Sequence, residues 1–441
     1  MNTLVSIGSV DGQSYWISNY AVGVSALANS VRASSDGSAL LAGSVIDGTQ
    51  RASLAKYSST GSIIFQRALD NPTVDAEAFY DVREDASGNI FCVGVSVSVG
   101  DTRILTAKYN SSAAIQWQRT LNLSGVTDYG WRVGVDTSGD AYIAGYTQTS
   151  GTNLNILNAK YTSAGTLSWQ RQLGGSLNDY PFGMAVDGNG NSFTVGYAET
   201  VSSSDDQPII AKRDLNGAIS WQKIYSLPSP RSSFRGAALD ASGNIFVAGT
   251  STNPSAFNFA YIAKLDSTGS PVWQRSLGTN GAGEDDTFFQ VQLGADGYLY
   301  ACGRTYSNSL AKYIALIAKY DQSGNLVFQR TIDVTGLSIL EVNVSSSYPA
   351  MYASVTAYNS GSGIYYSVIM RLPSDGSKTG SYTGVITGST VNYATSSLVD
   401  QSRSYSASTS TITDAAGAFT GATSTFTDST PTYTRSLVSV T

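Results

Sequence analysis

Acid and aromatic residues stand side by side at three places along the chain: Asp128 with Tyr129 and Trp131, Asp179 with Tyr180, and Asp285 and Asp286 with Phe288. Such groupings suit a sugar, whose apolar face stacks on the ring while the carboxylate takes its hydroxyls, and they suit a protein epitope equally well. The competing role is structural, with the aromatics packing between strands and the acids capping turns. Catalysis is narrowed by what is missing. With no histidine in 441 residues there is no Ser-His-Asp triad, no Cys-His pair and no His-based zinc site. Carboxylate-based glycoside hydrolysis or lysis is the enzyme class that survives, because it needs no histidine.

Two further sets of residues invite chemistry. Turns of the form D-x-x-G ("DASGN", "DTSGD", "DGNGN") suggest calcium, but none offers the alternating oxygen ligands and closing Glu of a calcium loop, so they read as turns. Lys56, Lys108, Lys160, Lys212, Lys264 and Lys319, with Arg67, Arg119, Arg171, Arg275 and Arg330, form a basic ladder. It recurs with strands rather than loops, so these side chains are expected to pair with acids or carbonyls of neighbouring repeats. Cys92 and Cys302 lie far apart in strand-like stretches, and a disulfide is not expected. No catalytic residue, metal ligand or cofactor site is assigned.

The elements that would carry these residues come from a repeat. The lysine of "AKY" recurs every 52 residues from Lys56 to Lys264, then as Lys319 after 55, with Arg371 in its place 52 further on. The aromatic of "WQR" keeps step as Phe65, Trp117, Trp169, Trp221, Trp273 and Phe328. No "WQR" follows Arg371; its counterpart is "DGQSYWIS" at the other end, where Gly12 and Trp16 align with Gly61 and Phe65. Each unit reads as four strands: "WQR", a second such as "YGWRVGVD", a third such as "AYIAGY", and "AKY". The fold class expected is therefore all-β, a seven-bladed β-propeller over residues 1–372 whose N-terminal strand completes the last blade. Alternating strand directions put short Asp/Gly turns on one face and longer connections, such as "NLSGVTDYGW", "GGSLNDYPF" and "GTNGAGEDDTFF", on the other. That second face, carrying the acid and aromatic groups above, is the candidate recognition surface.

The pattern "D-Y/D… VD-x-x-G-N-x-F-V-A-G-T… A-K-Y-D-x-x-G-x-x-x-W-Q-R" resembles the SBBP β-propeller repeat family over about residues 3–372. Its "AKYDSSGNIQWQRTL" flavour is similar to repeats in structural proteins of tailed phages, notably marine and cyanobacterial ones. The segment "DSTGSPVW", Asp266 to Trp273, resembles the Asp-box turn of sialidase propellers, but with one extra residue between Asp and Gly, and the arginine triad and tyrosine nucleophile of those enzymes have no matching positions. The resemblance implies a non-enzymatic virion protein, in a tail fibre, tail tip or capsid decoration, made in the host cytoplasm, with other virion proteins and a host-surface glycan as partners. A bacterial extracellular or surface binding propeller is the alternative, and a glycoside hydrolase or lyase the third reading.

Residues 373–441 fall outside the repeat and are rich in Ser and Thr. Short alternations of β-prone residues around "DAAG" suggest a β-rich arm that docks on the propeller, on sister copies through residues 377–441, or on another protein. The net charge of −6 supplies no positive field for nucleic acid or anionic lipid. No apolar run of membrane-spanning length is present, and the N-terminus has no basic segment followed by an apolar one, so neither a membrane nor a cleaved leader is expected.

Overall fold

The computed structural model describes every residue except 1, 11, 21–24, 47, 71–74, 123–126, 149–152, 176, 200–205, 227–230, 253–254, 256, 279–284, 348, 387–388, 397, 403–405, 410–412, 416–419, 424–426, 430–434 and 439–441. From Val399 onward only backbone is described. Parts of the longer connections read from the sequence fall on the residues left out. The described residues form strands and turns, with no helix among them.

One unit shows how the repeat folds. Asp128–Val135, Ala141–Gln148, Leu154–Tyr161 and Leu167–Gly174 pair antiparallel in that order. The "WQR" strand thus closes each sheet on its far side, with Trp169 opposite Lys160. We number the units I–VII by their first strands: Ser25–Ala33, Ala76–Glu84, Asp128–Val135, Asp179–Val186, Ser233–Leu239, Thr287–Leu293 and Ser338–Ser347. Units I and II share a sheet through a single parallel bridge, Gln50 to Ala76, and the other five sheets hold one unit each. Unit VII has only three strands of its own. Its fourth is Gln13–Tyr20, which pairs with Ile364–Pro373 and sets Trp16 opposite Arg371, as the offset of "DGQSYWIS" predicts. Each first strand packs against the first strand of the next unit, and Ser338–Ser347 against Ser25–Ala33.

Apolar side chains fill the spaces between neighbouring units. Phe91, Ile104 and Trp117 of unit II pack with Val133, Ile143 and Tyr161 of unit III. The "WQR" motif adds a polar staple to this contact. Trp169 donates Nε1–H to the Leu215 carbonyl of the next unit's turn at 3.0 Å, and Arg119 donates Nε–H to the Gly165 carbonyl at 2.8 Å. The turn glycine is required twice over. Gly165 has φ of +79°, and a Cβ there would lie 2.7 Å from the Trp117 ring. The same staple spans the two ends of the chain: Trp16 donates to the Ser59 carbonyl at 3.0 Å, and a Cβ on Gly61 would lie 2.9 Å from its ring.

The basic ladder is internal, but contrary to expectation most of its acids belong to the lysine's own unit, because the acid stands in the turn between that unit's first and second strands; contacts to the next unit are mainly to carbonyls. Lys160 reaches Asp140 at 3.0 Å, Lys56 reaches Glu84 at 3.1 Å and Lys319 reaches Asp296 at 2.9 Å, while Lys108 donates to the Ser163 carbonyl of unit III. Cys92 and Cys302 are free and buried.

The C-terminal segment runs around the outside of the units. A hairpin, Gly380–Ile386 and Ser389–Thr395, adds to unit VI and buries Val385, Ile386, Val391 and Tyr393 in the core. Five short strands then visit one unit each in descending order: Val399–Ser402 on unit V, Ser406–Thr409 on IV, Thr413–Ala415 on III, Thr420–Thr423 on II and Thr427–Ser429 on I. Arg435–Val438 ends the circuit parallel to Asn2–Val10, the strand outside Gln13–Tyr20. Of the docking options left open by the sequence, this is the one on the chain's own repeat.

Candidate functional site

The first strand of every unit carries a β-bulge near its start. The pairing register jumps between Ala28 and Ser30, Phe79 and Asp81, Gly130 and Arg132, Pro181 and Gly183, Phe234 and Gly236, Phe288 and Gln290, and Ile339 and Glu341. The extra residue in each is Asn29, Tyr80, Trp131, Phe182, Arg235, Phe289 or Leu340. A bulge bends its strand and re-aims the unpaired side chain. Six of these seven side chains line one cavity of about 260 Å³ with Arg132 and Glu341. Leu340 lines an adjoining cavity of about 400 Å³, which shares Arg235, Phe289 and Glu341 with the first. Equivalent residues of all seven units therefore converge on one place.

In units I to VI a glycine in the facing strand makes room for the bulge; unit VII has Ala357 there. A Cβ on Gly145 would lie 1.9 Å from the Tyr129 carbonyl oxygen. The glycine of "AGY" and its counterparts is thus the sequence mark of the bulge.

Around the cavity the aromatics continue as a crescent. Tyr80 lies 4.7 Å from Trp131, Tyr129 stacks on Tyr146 at 4.9 Å, Tyr146 meets Tyr180 at 5.1 Å, and Tyr180 meets Tyr197 at 5.2 Å. All five tyrosines and Trp131 are half-buried. The crescent then passes to cations. The Arg235 guanidinium lies 4.7 Å from the Phe182 ring and 5.7 Å from Phe289, and Arg304 lies 5.7 Å from Phe289 and 4.0 Å from Tyr313. Burial and then the neighbouring Arg304 charge hold the Arg235 pKa below its ordinary value. Glu341 is pushed up by burial, against the pull of Arg132, Arg235 and Arg304. Asp285 is engaged, accepting from Asn258 Nδ2 at 2.7 Å and the Tyr313 hydroxyl at 2.6 Å.

The residues singled out from the sequence divide between this surface and the layer beneath it. Tyr129, Trp131 and Tyr180 belong to the crescent, and Asp285 lines the larger cavity. Asp128, Asp179, Asp286 and Phe288 are buried, Phe288 within the core between units V and VI. Asp179 accepts the Gly175 backbone N–H at 2.9 Å; burial raises its pKa to about 7, with Glu199 adding to the rise and the Gly175 bond opposing it. These three aspartates occupy one repeat position at the start of the first strand, and at Asp179 the acid ties down the preceding connection. Sequence reasoning missed Tyr80, Phe182, Arg235, Phe289, Arg304 and Glu341, because the pairing of neighbours along the chain hides a ring assembled from one residue per unit.

Where the first strands leave the cavity in the other direction, charge replaces aromatic surface. Asp81 accepts from Ser30 at 2.8 Å and pairs with Arg83 at 2.8 Å and Arg32 at 3.0 Å. Burial raises Asp81, but Arg83, Arg32 and Arg132 together hold it below the usual carboxylate range. Burial, then Arg83, lowers Arg32 to about 9. The D-x-x-G carboxylates serve their own turns; Asp136 Oδ1 accepts from Ser138 N at 2.9 Å and Asp140 N at 3.0 Å. Among the described residues no three His, Cys, Asp or Glu side chains gather as a metal site would need.

Several solved structures align with parts of this chain. A polysaccharide lyase, Uly1, aligns over 83% of this chain and 94% of its own at 11% identity with a TM-score of 0.49. A protein of unknown function from Dyadobacter fermentans DSM 18053 aligns over 79% and 95% at 12% identity and a TM-score of 0.46. A glucose dehydrogenase aligns over 59% and 90% at 13% identity and a TM-score of 0.36. Likeness at this level carries nothing about activity. No curated protein sequence matches the chain. Residues 169–199, from the "WQR" strand of unit III through the second strand of unit IV, match the SBBP model, a beta-propeller repeat.

Proposed function

We propose that the chain is a seven-bladed β-propeller, closed by Gln13–Tyr20, that works as a binding protein and not as a catalyst. Closure is supported by the packing of first strands from unit to unit and back to unit I, and by the Trp16 staple across the two ends. The ligand face is the cavity at the bulged residues with the aromatic crescent beside it, and the ligand is a saccharide. The crescent carries this reading: six half-buried aromatic rings contiguous across units II to IV offer π surface that core packing does not require. Glycan-array binding, followed by quenching of Trp131 fluorescence, tests it. Wild type should bind, and Trp131→Ala with Tyr180→Ala should lose binding while keeping the thermal midpoint. Equal binding by that double variant would refute the assignment.

The setting we propose is a phage virion, where the propeller serves as a tail-fibre, tail-tip or capsid-decoration component and the ligand is a host-surface glycan. The repeat's resemblance supports this setting. Mass spectrometry of purified particles should find the chain; finding it only on bacterial surfaces would favour the alternative, a bacterial binding propeller.

Saccharide cleavage is a second reading with one observation behind it. Glu341, raised by burial, shares a cavity with Asp285, and the Tyr313 hydroxyl sits on Asp285 beside Arg304. A carboxyl group whose hold on its proton is strengthened by burial and a second carboxylate beside it are the parts of glycoside hydrolysis. Release of reducing ends from a bound polysaccharide, abolished in Glu341→Gln, would establish it in place of simple binding.

A further inference from the structure

We propose that the cavity at the bulged residues is a site for an acidic sugar residue, whose carboxylate or sulfate sits against Arg235 and Arg304 while its ring lies on Trp131 and Tyr80. This rests on the saccharide-binding reading above and specifies the charge of the ligand.

The observation that carries it is a pair of guanidinium groups without acceptors. The Nε–H of Arg235 and the Nε–H of Arg304 are buried and unbonded, and neither side chain has a hydrogen-bond acceptor or an ion-pair partner among the described residues. Both lie 5.7 Å from the Phe289 ring, with Arg235 also 4.7 Å from Phe182 and Arg304 4.0 Å from Tyr313. Elsewhere in this protein buried basic side chains are answered: Lys160 by Asp140, Lys319 by Asp296, Arg32 by Asp81, and Arg119 by the Gly165 carbonyl. The two guanidinium groups feel the charge of Glu341 and Asp285 but hydrogen-bond neither among the described residues, so their buried Nε–H groups are left open to an acceptor from outside.

Charge in the cavity points the same way. Arg132, Arg235 and Arg304 act on the one carboxylate they surround, Glu341, which carries no hydrogen bond of its own among the described residues. Asp285 is already held by Asn258 and Tyr313. Across the two adjoining cavities Arg132, Arg231, Arg235 and Arg304 stand against Glu341, Asp285 and Asp206, a small local excess of positive charge on a chain whose net charge is −6, so attraction of an anion here depends on this site and not on the overall field. A planar guanidinium backed by an aromatic ring binds a carboxylate or sulfate through two parallel N–H bonds. Trp131 and Tyr80, 4.7 Å apart at the same cavity, supply the stacking surface a pyranose ring needs. The ion that results is an acid held on its sugar, which distinguishes it from free phosphate or sulfate.

The test is calorimetric titration of the full chain with three oligosaccharides of equal length: an oligogalacturonate, a sulfated oligosaccharide, and a neutral oligoglucan. Inorganic sulfate alone is the fourth arm. At least one of the two acidic sugars should bind about tenfold or more tightly than the neutral one, weakening with salt, and which one does so separates carboxylate from sulfate. Arg235→Gln should lose that preference, and Glu341→Gln should strengthen it. Arg304→Lys, which keeps the charge and removes the fork, should bind at an intermediate level, and covers the case in which Arg235→Gln does not fold. Arg103→Gln, on a surface guanidinium already paired with Asp101 at 2.7 Å, should change nothing. Equal or tighter binding of the neutral sugar overturns this proposal while leaving saccharide binding intact. Binding of inorganic sulfate as tight as the sulfated sugar overturns it too, and failure of every sugar overturns both readings.

Discussion

The seven repeat units and the C-terminal belt are both made of β-strands, yet they are held in different ways. Strands of the units run seven to ten residues and meet their neighbours through specific side chains: the indole and guanidinium of "WQR" on the next turn, the turn glycine under the indole, the Lys108 ammonium on the Ser163 carbonyl. Belt strands from Val399 onward run three or four residues and join each unit through backbone register alone as far as they are described. A contact made by side chains must be rewritten in every unit, so the units repeat their sequence. A contact made by backbone asks only for a strand of the right length at the right step. The units should therefore be intolerant of single changes and the belt tolerant of many.

The comparison can be broken most forcefully at the seam. Deleting residues 1–20 removes the fourth strand of unit VII and the Trp16 staple, and exposes the core that Val5, Ile7, Tyr15 and Ile17 share with units VI and VII. Loss of cooperative thermal unfolding is expected; retention of a sharp transition near the wild-type midpoint would show that the units hold together without closure.

A next, smaller effect lies in Asp179. Its folded pKa of about 7 exceeds the unfolded value near 4, so the folded state binds the extra proton between these values. Its contribution is fully present below about pH 4 and is lost as pH rises through about 7, on the order of 4 kcal/mol at most. Thermal midpoints measured from pH 4 to pH 8 should fall with pH in wild type and fall less in Asp179→Asn. Parallel curves for the two proteins would remove the buried-acid account.

Gly165→Ala tests one staple. It forces a methyl group into a left-handed conformation and onto the Trp117 ring, at a cost of about 2–4 kcal/mol, read as a lower denaturation midpoint with an unchanged slope. A neutral result would mean that the turn shifts freely and the staple is loose.

The mildest effect is expected from removing the belt by truncation after Ser396. The cut must fall there and not at residue 377, because Val385, Ile386, Val391 and Tyr393 belong to the core. A change of only a few degrees in the midpoint is expected, together with self-association on concentration, since the outer strand edges are then uncovered. Collapse of the fold on truncation would make the belt as essential as the units.

Much of the architecture was readable because the 52-residue period of "AKY" and "WQR" is written by inter-unit side-chain contacts, and the displaced copy at Trp16 marks the seam. The belt was not read, although it too has a period. Large apolar residues recur every seven positions as Val391, Leu398, Tyr405, Ile412, Phe419, Phe426, Tyr433 and Val440, and strands from Val399 to Thr427 start at the same interval. Seven is neither the strand period of two nor the unit period, so a search for either passes over it. The site was half legible. Tyr129, Trp131 and Tyr180 stand out as aromatics beside acids, but those acids, Asp128 and Asp179, are buried beneath the surface, and the ring of bulged residues appears only when one position is compared across all units. The glycine of "AGY" marks that position, since a side chain there would strike the bulged strand.

Closure of the units by the N-terminal strand can be measured by cross-linking Asn19 to Val368, which stand opposite each other across the seam. With Cys92 and Cys302 replaced by alanine, Asn19→Cys and Val368→Cys should form a disulfide within one chain under mild oxidation, shifting non-reducing mobility without dimer and raising the unfolding temperature. A disulfide that forms only between two chains, or none at all, would contradict closure within a single copy.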